Sequence, residues 1–198
     1  MGFKIKNGVL TRYKEEKGVT EVVIPDSVTS IRYRAFSDCS SLTSVTIPDT
    51  VTSIGGWAFE DCSSLTSVTI PDSVTSIGDR AFSGCSSLTS VTIPDSVTSI
   101  GESAFKNCYS LKSVTIPDSV TSIGWNAFSG LTVIIKNMSV YCSDGDDDFF
   151  NALVKKIVSG ESITAEFIKE AKHTETKDPV FLHLCRKGQK DCLEYVKK

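Results

Sequence analysis

The sequence predicts an α/β repeat solenoid with a parallel β-sheet, closed at its N-terminus by a β-hairpin and followed by a small α-helical C-terminal segment. Three observations carry this. A 23-residue unit recurs with starts at Ile24, Ile47, Ile70, Ile93 and Ile116, and a fixed period of that order is the signature of a stacked repeat array. Inside each unit a short run of alternating apolar residues ends at a proline, as a buried strand does. Beyond Asp144 the repeat is gone and the composition turns helical.

The first element is the run Phe3-Lys4-Ile5, Asn7-Gly8, Val9-Leu10-Thr11-Arg12-Tyr13. Its polarity alternates about Asn-Gly, which supplies the two positive-φ positions of a tight hairpin turn. A hairpin here would be the lid that an open solenoid end requires. Val19, Val22 and Ile24 then stand where Leu88, Val91 and Ile93 stand in a full unit, and predict the first solenoid strand.

The third unit, Ile70 to Thr92, reads IPDSVTSIGDRAFSGCSSLTSVT. The spacing of Leu88, Val91 and Ile93 turns alternate strand residues inward and leaves Ser90 and Thr92 outward. Pro94 has no N–H for the ladder and ends the strand. Val97 and Ile100 return to the core on the opposite wall, Gly101 allows a tight bend, and Ala104-Phe105 with Cys108 read as a short helical or 3₁₀ arc. One coil buries too few side chains to offset the ordering of its backbone, so the copies must stack.

The fifth unit has no counterpart of Cys85-Ser86-Ser87 after Gly130, and Leu131-Thr132-Val133-Ile134-Ile135 follows directly as a final strand. Helices are predicted over 146–158, 164–172, 179–187 and 190–197, with Gly160 and Gly188 as C-terminal caps and Asp178-Pro179 as an N-cap with proline in the first turn. The division that follows is a cap with the first strand over 1–23, the solenoid over 24–138 and a helical segment over 139–198.

The pattern of leucine, spaced apolar residues, Ile-Pro and Ala-Phe-x-x-Cys, complete in four units between Val19 and Leu131, resembles the BspA-type leucine-rich repeat. The resemblance implies a right-handed leucine-rich-repeat solenoid and an adhesion or interaction module, in proteins often found on microbial surfaces. A weaker resemblance links Asp178 to Gly188 and Asp191 to Val196 with an ankyrin helix pair.

A formal net charge of -3 gives no basic field, so nucleic acid is not an expected partner. No apolar run reaches the roughly 18 residues of a spanning helix, and Met1 to Lys6 lacks the apolar core of a signal peptide. Seven cysteines leave at least one thiol unpaired, which favours a reducing compartment; the resemblance points instead to a surface.

Cys39, Cys62, Cys85 and Cys108 recur at the repeat period and form an inward column. A column diverges along its axis, whereas metal ligands converge, so packing explains it and no metal is expected. Cys185 and Cys192 have no C-x-x-C spacing and read as packing too. The run Asp144 to Asp148 fails as a calcium loop because Phe149 stands where glycine is needed and Lys155 where glutamate is needed. His173 and His183, the only histidines, have no nucleophile and acid at recognisable spacing. No catalytic or cofactor-binding residue is assigned, no cofactor is expected, and an enzyme is not.

Outward strand positions pair Glu21 with Val23, then Ser44 with Thr46, Ser67 with Thr69, Ser90 with Thr92 and Ser113 with Thr115. The copies differ mainly just before Ala-Phe, at Arg32-Tyr33-Arg34, Gly56-Trp57, Asp79-Arg80, Glu102-Ser103 and Trp125-Asn126. Stacking explains agreement between copies, so the differences are the more informative; the alternative reading of them is drift at permissive loop positions. Tyr, Trp and Arg dominate binding hot spots. Candidate partner contacts are therefore Arg32, Tyr33, Arg34, Trp57, Arg80, Glu102 and Trp125 on one edge, with Tyr109 beside the strand face. The expected function is recognition of a protein or cell-surface ligand. The alternatives are a structural spacer whose C-terminal segment binds or oligomerises and, more remotely, an ice-binding hydroxyl ladder.

Overall fold

Each coil makes two short straight runs and a folded arc, and the same residues set the corners in every copy. A computed structural model of the chain describes residues 2–129, 131–135, 138–141, 152, 156, 161, 182–184 and 193–195. The hairpin forms as its Asn-Gly turn predicts: β1 (Phe3–Lys6) and β2 (Val9–Tyr13) are antiparallel, with Asn7 and Gly8 at φ 50° and 74°. Leu10 and Tyr13 are the residues that β2 buries.

Two parallel ladders then run along the solenoid. One holds β3 (Glu21–Val23), β5 (Ser44–Thr46), β7 (Ser67–Thr69) and β9 (Ser90–Thr92). The other holds β4 (Ser30–Ile31), β6 (Ser53–Ile54), β8 (Ser76–Ile77), β10 (Ser99–Ile100) and β12 (Ser122–Ile123), and β1-β2 joins its start. From β3 to β9 and from β4 to β12, every pairing is offset by one full repeat, as in Val45↔Val68 and Ile54↔Ile77. The second ladder is an addition to the single sheet that the sequence suggests. Its strands are two residues long, too short to show alternation.

The first ladder stops after β9. β11 (Ser113–Ile116) pairs instead with β13 (Thr132–Ile135), and β13 turns back antiparallel to β14 (Met138–Tyr141). At the strand entry, Thr43, Thr66 and Thr89 each donate a hydroxyl to the carbonyl of the same residue one coil earlier, at 3.0–3.1 Å. The next residue of that column is Lys112, which has no hydroxyl to continue the series.

The arc is not helical or 3₁₀. It places residues with left-handed φ at two points, Arg34, Trp57, Arg80, Ser103 and Asn126 at its start and Asp38, Asp61, Gly84 and Asn107 four residues on, and no helix passes through such positions. Alternate N–H groups point along the axis instead: Trp57, Phe59 and Asp61 donate to Asp79, Ala81 and Ser83 of the next coil at 2.8 Å each. This is a third inter-coil ladder, built from turns.

The core fills the space between these walls. Phe36, Phe59, Phe82, Phe105 and Phe128 are fully buried and stack with centroids 4.8 to 5.5 Å apart, and Tyr13 continues the stack onto the hairpin at 5.2 Å. The hairpin is thus a lid by packing as well as by pairing. Cys62, Cys85 and Cys108 donate their S–H to the carbonyls of Phe36, Phe59 and Phe82 at 3.2 Å.

Gly101 serves close approach rather than bending. A β-carbon at Gly55, Gly78, Gly101 or Gly124 would lie under 3.0 Å from backbone of the coil before. Arg32 holds this position in the first coil, where its N–H meets the Leu10 carbonyl of the hairpin at 2.9 Å and no full coil lies beneath.

The ankyrin-like helix pair is not what forms. Leu182–Leu184 (β15) and Leu193–Tyr195 (β16) pair as antiparallel strands. Leu-His-Leu and Leu-Glu-Tyr alternate apolar and polar residues, a pattern that three residues satisfy as well in a strand as on a helix. Ala152 and Lys156 are helical, within the helix expected over 146–158. The helix expected over 164–172 and the acidic run at Asp144 to Asp148 lie outside the described residues.

Candidate partner-binding edge

The left-handed turn that opens each arc lies along one edge of the solenoid, where Arg34 and Arg80 are exposed, Trp57 and Asn126 half-buried and the short Ser103 buried. Asn, Asp and Gly are the residues this backbone accepts at least cost, and Asn126 occupies it in the last coil. Arg34, Trp57 and Arg80 occupy it in the first three, at φ 57°, 55° and 52°. The strain is held by the axial ladder, in which Arg34, Trp57 and Arg80 donate their N–H to Gly56, Asp79 and Glu102 at 3.1, 2.8 and 2.7 Å.

One coil apart, these three side chains meet. The Trp57 ring lies between two guanidinium groups, Arg34 at 6.0 Å and Arg80 at 5.6 Å from its centroid, within cation–π range. Tyr33 tilts against Trp57 at 5.0 Å and takes Arg34 on its own ring at 5.3 Å. Glu60 joins the two arginines, each 4.0 Å from a carboxylate oxygen. Its side chain is only 16% exposed, and burial, then Asp61, push its carboxyl above the usual range against the pull of Arg34 and Arg80. The bridges therefore orient the cluster more than they stabilise it.

Beside the cluster a groove of about 640 Å³ runs along the edge. Its floor is Gly78, Gly101 and Gly124 with the hydroxyl residues Ser76, Ser99 and Ser122; Tyr33 and Trp57 bound one end and Trp125 the other. Asp79 and Glu102 also line it, and Asp79 Oδ1 accepts the N–H of Glu102 at 2.8 Å. Tyr33 is 50% exposed and Trp125 46%.

Of the candidate contacts, Tyr33, Trp57, Glu102 and Trp125 line the groove, and Arg34 and Arg80 flank Trp57. Arg32 is exposed but stands apart at the glycine position of the first coil. Tyr109, 77% exposed, lies outside the groove lining, in the column of Ser40, Ser63 and Ser86. The outward pairs Ser44/Thr46, Ser67/Thr69 and Ser90/Thr92 align in register, with Glu21 and the 70% exposed Val23 before them. Ser113 and Thr115 belong to the next sheet, opposite Thr132 and Ile134, so the hydroxyl array is not one continuous ladder.

Sequence reasoning missed Glu60, Asp79 and the glycine floor as parts of one site. Glu60 had a legible signal: its column reads Ser37, Glu60, Ser83, Lys106 and Ser129, so it too departs from the repeat, three residues after Trp57. The cysteine column offers no reactive thiol. Burial pushes Cys39 and Cys108 up to about 12 and Cys62 and Cys85 well above their ordinary value, which keeps them protonated. Among the described residues no three metal-ligating side chains gather, and no helix is long and apolar enough to cross a membrane.

The pattern of the BspA type leucine-rich repeat region matches residues 11–134 in six copies. The fold is similar to a leucine-rich repeat protein of Treponema pallidum, with 37% identity and a TM-score of 0.59 over 62% of this chain and 58% of that one. It is similar also to a leucine-rich repeat protein of Bacteroides ovatus, with 39% identity and a TM-score of 0.60 over 67% of this chain and 38% of that one. The pneumococcal vaccine antigen PcpA shares the fold at 22% identity and a TM-score of 0.58, over 85% of this chain and 42% of the antigen. The chain thus spans less than two thirds of each of these proteins. No curated protein matches it in sequence.

Proposed function

Because this chain belongs to the BspA-type leucine-rich repeat family, we propose that it is a non-enzymatic recognition module for a protein or cell-surface partner, with the Tyr33-Arg34-Trp57-Arg80 edge as its main contact surface. The observation that carries this reading is the backbone beneath the side chains. Arg and Trp sit in a left-handed conformation that Asn would adopt at less cost, and strain of this kind gathers where a side chain has work outside the fold. The turn itself does not call for these residues, since Ser103 and Asn126 satisfy it.

Two aromatic rings held by arginines make a rigid, half-exposed anchor that loses little entropy on contact. The repeat family supports a general interaction or adhesion-type role, and its proteins are non-enzymatic repeat scaffolds. The test uses R34N and W57N, which keep a residue suited to positive φ. Binding of the full chain to intact cell surfaces and immobilised extracellular proteins should fall about tenfold or more in the double variant, as for loss of a hot spot, with the melting transition retained. Equal binding by both proteins, or none by either, overturns the proposal.

A further inference from the structure

We propose that the groove between Trp57 and Trp125 takes an extended, arginine-bearing segment of a partner protein, with one guanidinium laid on Trp125 and paired to Glu102. This rests on the recognition reading above and names the chemistry of the partner.

Charge decides the kind of occupant. Asp79 and Glu102 are the only ionisable acidic or basic side chains in the groove lining, apart from the Tyr33 phenol, and no lysine, arginine or histidine lines it. Arg34 and Arg80, which flank the lining residue Trp57, are engaged with Trp57 and Glu60. An exposed carboxylate pair between aromatic walls favours a cation whose body is flat or apolar, which describes a guanidinium better than an ammonium.

The molecule already contains a related grouping of indole, guanidinium and carboxylate. At Trp57 an indole takes guanidinium groups from the coils before and after, and Glu60 bridges them. At Trp125 an indole is 46% exposed with the Glu102 carboxylate one coil away in the same groove, and among the described residues no cation lies over the ring. The second site also combines a ring with an acid, Glu102 coming from the coil before Trp125 where Glu60 follows Trp57 in its own coil, but it lacks the arginine. A partner would supply it.

Length agrees with an extended peptide. Trp57 and Trp125 stand three coils apart, about 14 Å at the usual inter-strand spacing, which an extended chain crosses in about four residues. The serine hydroxyls and the glycine backbone of the floor leave room for a peptide main chain along the axis.

The experiment follows the indole N–H signals of Trp57 and Trp125, the two tryptophans, by NMR while the full chain is titrated with a blocked glycine–serine peptide carrying two arginines. The Trp125 signal should shift saturably, and added salt should weaken the effect. Affinity, measured by titration calorimetry because W125F and W125A carry no Trp125 indole, should fall about fivefold or more in E102Q, fall partly in W125F and vanish in W125A, following the order of ring strength for cations. W125F and E102Q keep the test valid if W125A does not fold. No shift, a shift confined to Trp57, an equal response to the peptide with citrulline for arginine, or a response only to a neutral oligosaccharide each overturns the proposal. If the peptide fails while cell-surface binding still depends on Arg34 and Trp57, the groove assignment falls and the recognition module stands.

Discussion

Cys85 sits fully buried beneath the arc, donating its S–H to the Phe59 carbonyl at 3.2 Å, and burial is the largest cause of its raised pKa. The folded state therefore favours the neutral thiol. Its contribution is complete below the ordinary value near 9 and is lost as pH climbs toward the folded value; Cys39 and Cys108, raised to about 12, share the sign, as does Tyr13. Between about pH 8 and about pH 10.5 urea should unfold the wild type progressively more easily, and C85A should lose roughly 2 kcal/mol less over that interval. Equal slopes in the two proteins would show that the thiol ionises freely in the folded state. The column itself was legible from the period alone. What the letters do not carry is the acceptor, because an S–H to a carbonyl 26 residues away exists only once the coils are stacked.

At the scale of the coil, contact between neighbours is set by backbone meeting backbone at the glycine after each second-ladder strand. A β-carbon at Gly101 would collide with Asp79 and Gly78, whereas one at Gly56 would meet the Asp79 carbonyl at 3.3 Å. G101A should therefore lower the unfolding free energy by about 3 kcal/mol and G56A by under about 1 kcal/mol, as for severe and slight overpacking, read from denaturant midpoints. Similar losses would mean the coils can move apart. The sequence marks this glycine as special without saying why, since a tight bend and a close approach both require the missing side chain. Arg32 in the first coil was the available clue, because a bend would need glycine there too. Strand positions of the first ladder, the hairpin and the final strand were readable from alternation and Asn-Gly. The second ladder and the axial hydrogen bonds of the arc were not, because two-residue strands and spaced left-handed turns leave no periodic trace.

For the whole molecule, in-register pairing by one repeat makes each coil depend on the two beside it. Excising Ile70 to Thr92 should give a protein that still unfolds cooperatively at a lower midpoint, and duplicating that unit should raise the midpoint by a comparable amount, as nearest-neighbour stability requires. Circular dichroism during thermal unfolding checks both. A variant that fails to fold would show that the array is not interchangeable at this coil. The edge cluster was partly visible in advance as the place where copies disagree, but Glu60 and the groove join residues from different coils, and only the stack puts Trp57 and Trp125 at the ends of one trough.

The one-repeat register has a further consequence for that trough. Its two tryptophan posts move apart or together only in whole steps of one coil, about 4.8 Å each, because no fractional coil can pair. A change in repeat number thus acts on the trough as a gauge with fixed graduations, altering reach while leaving the chemistry at either end untouched.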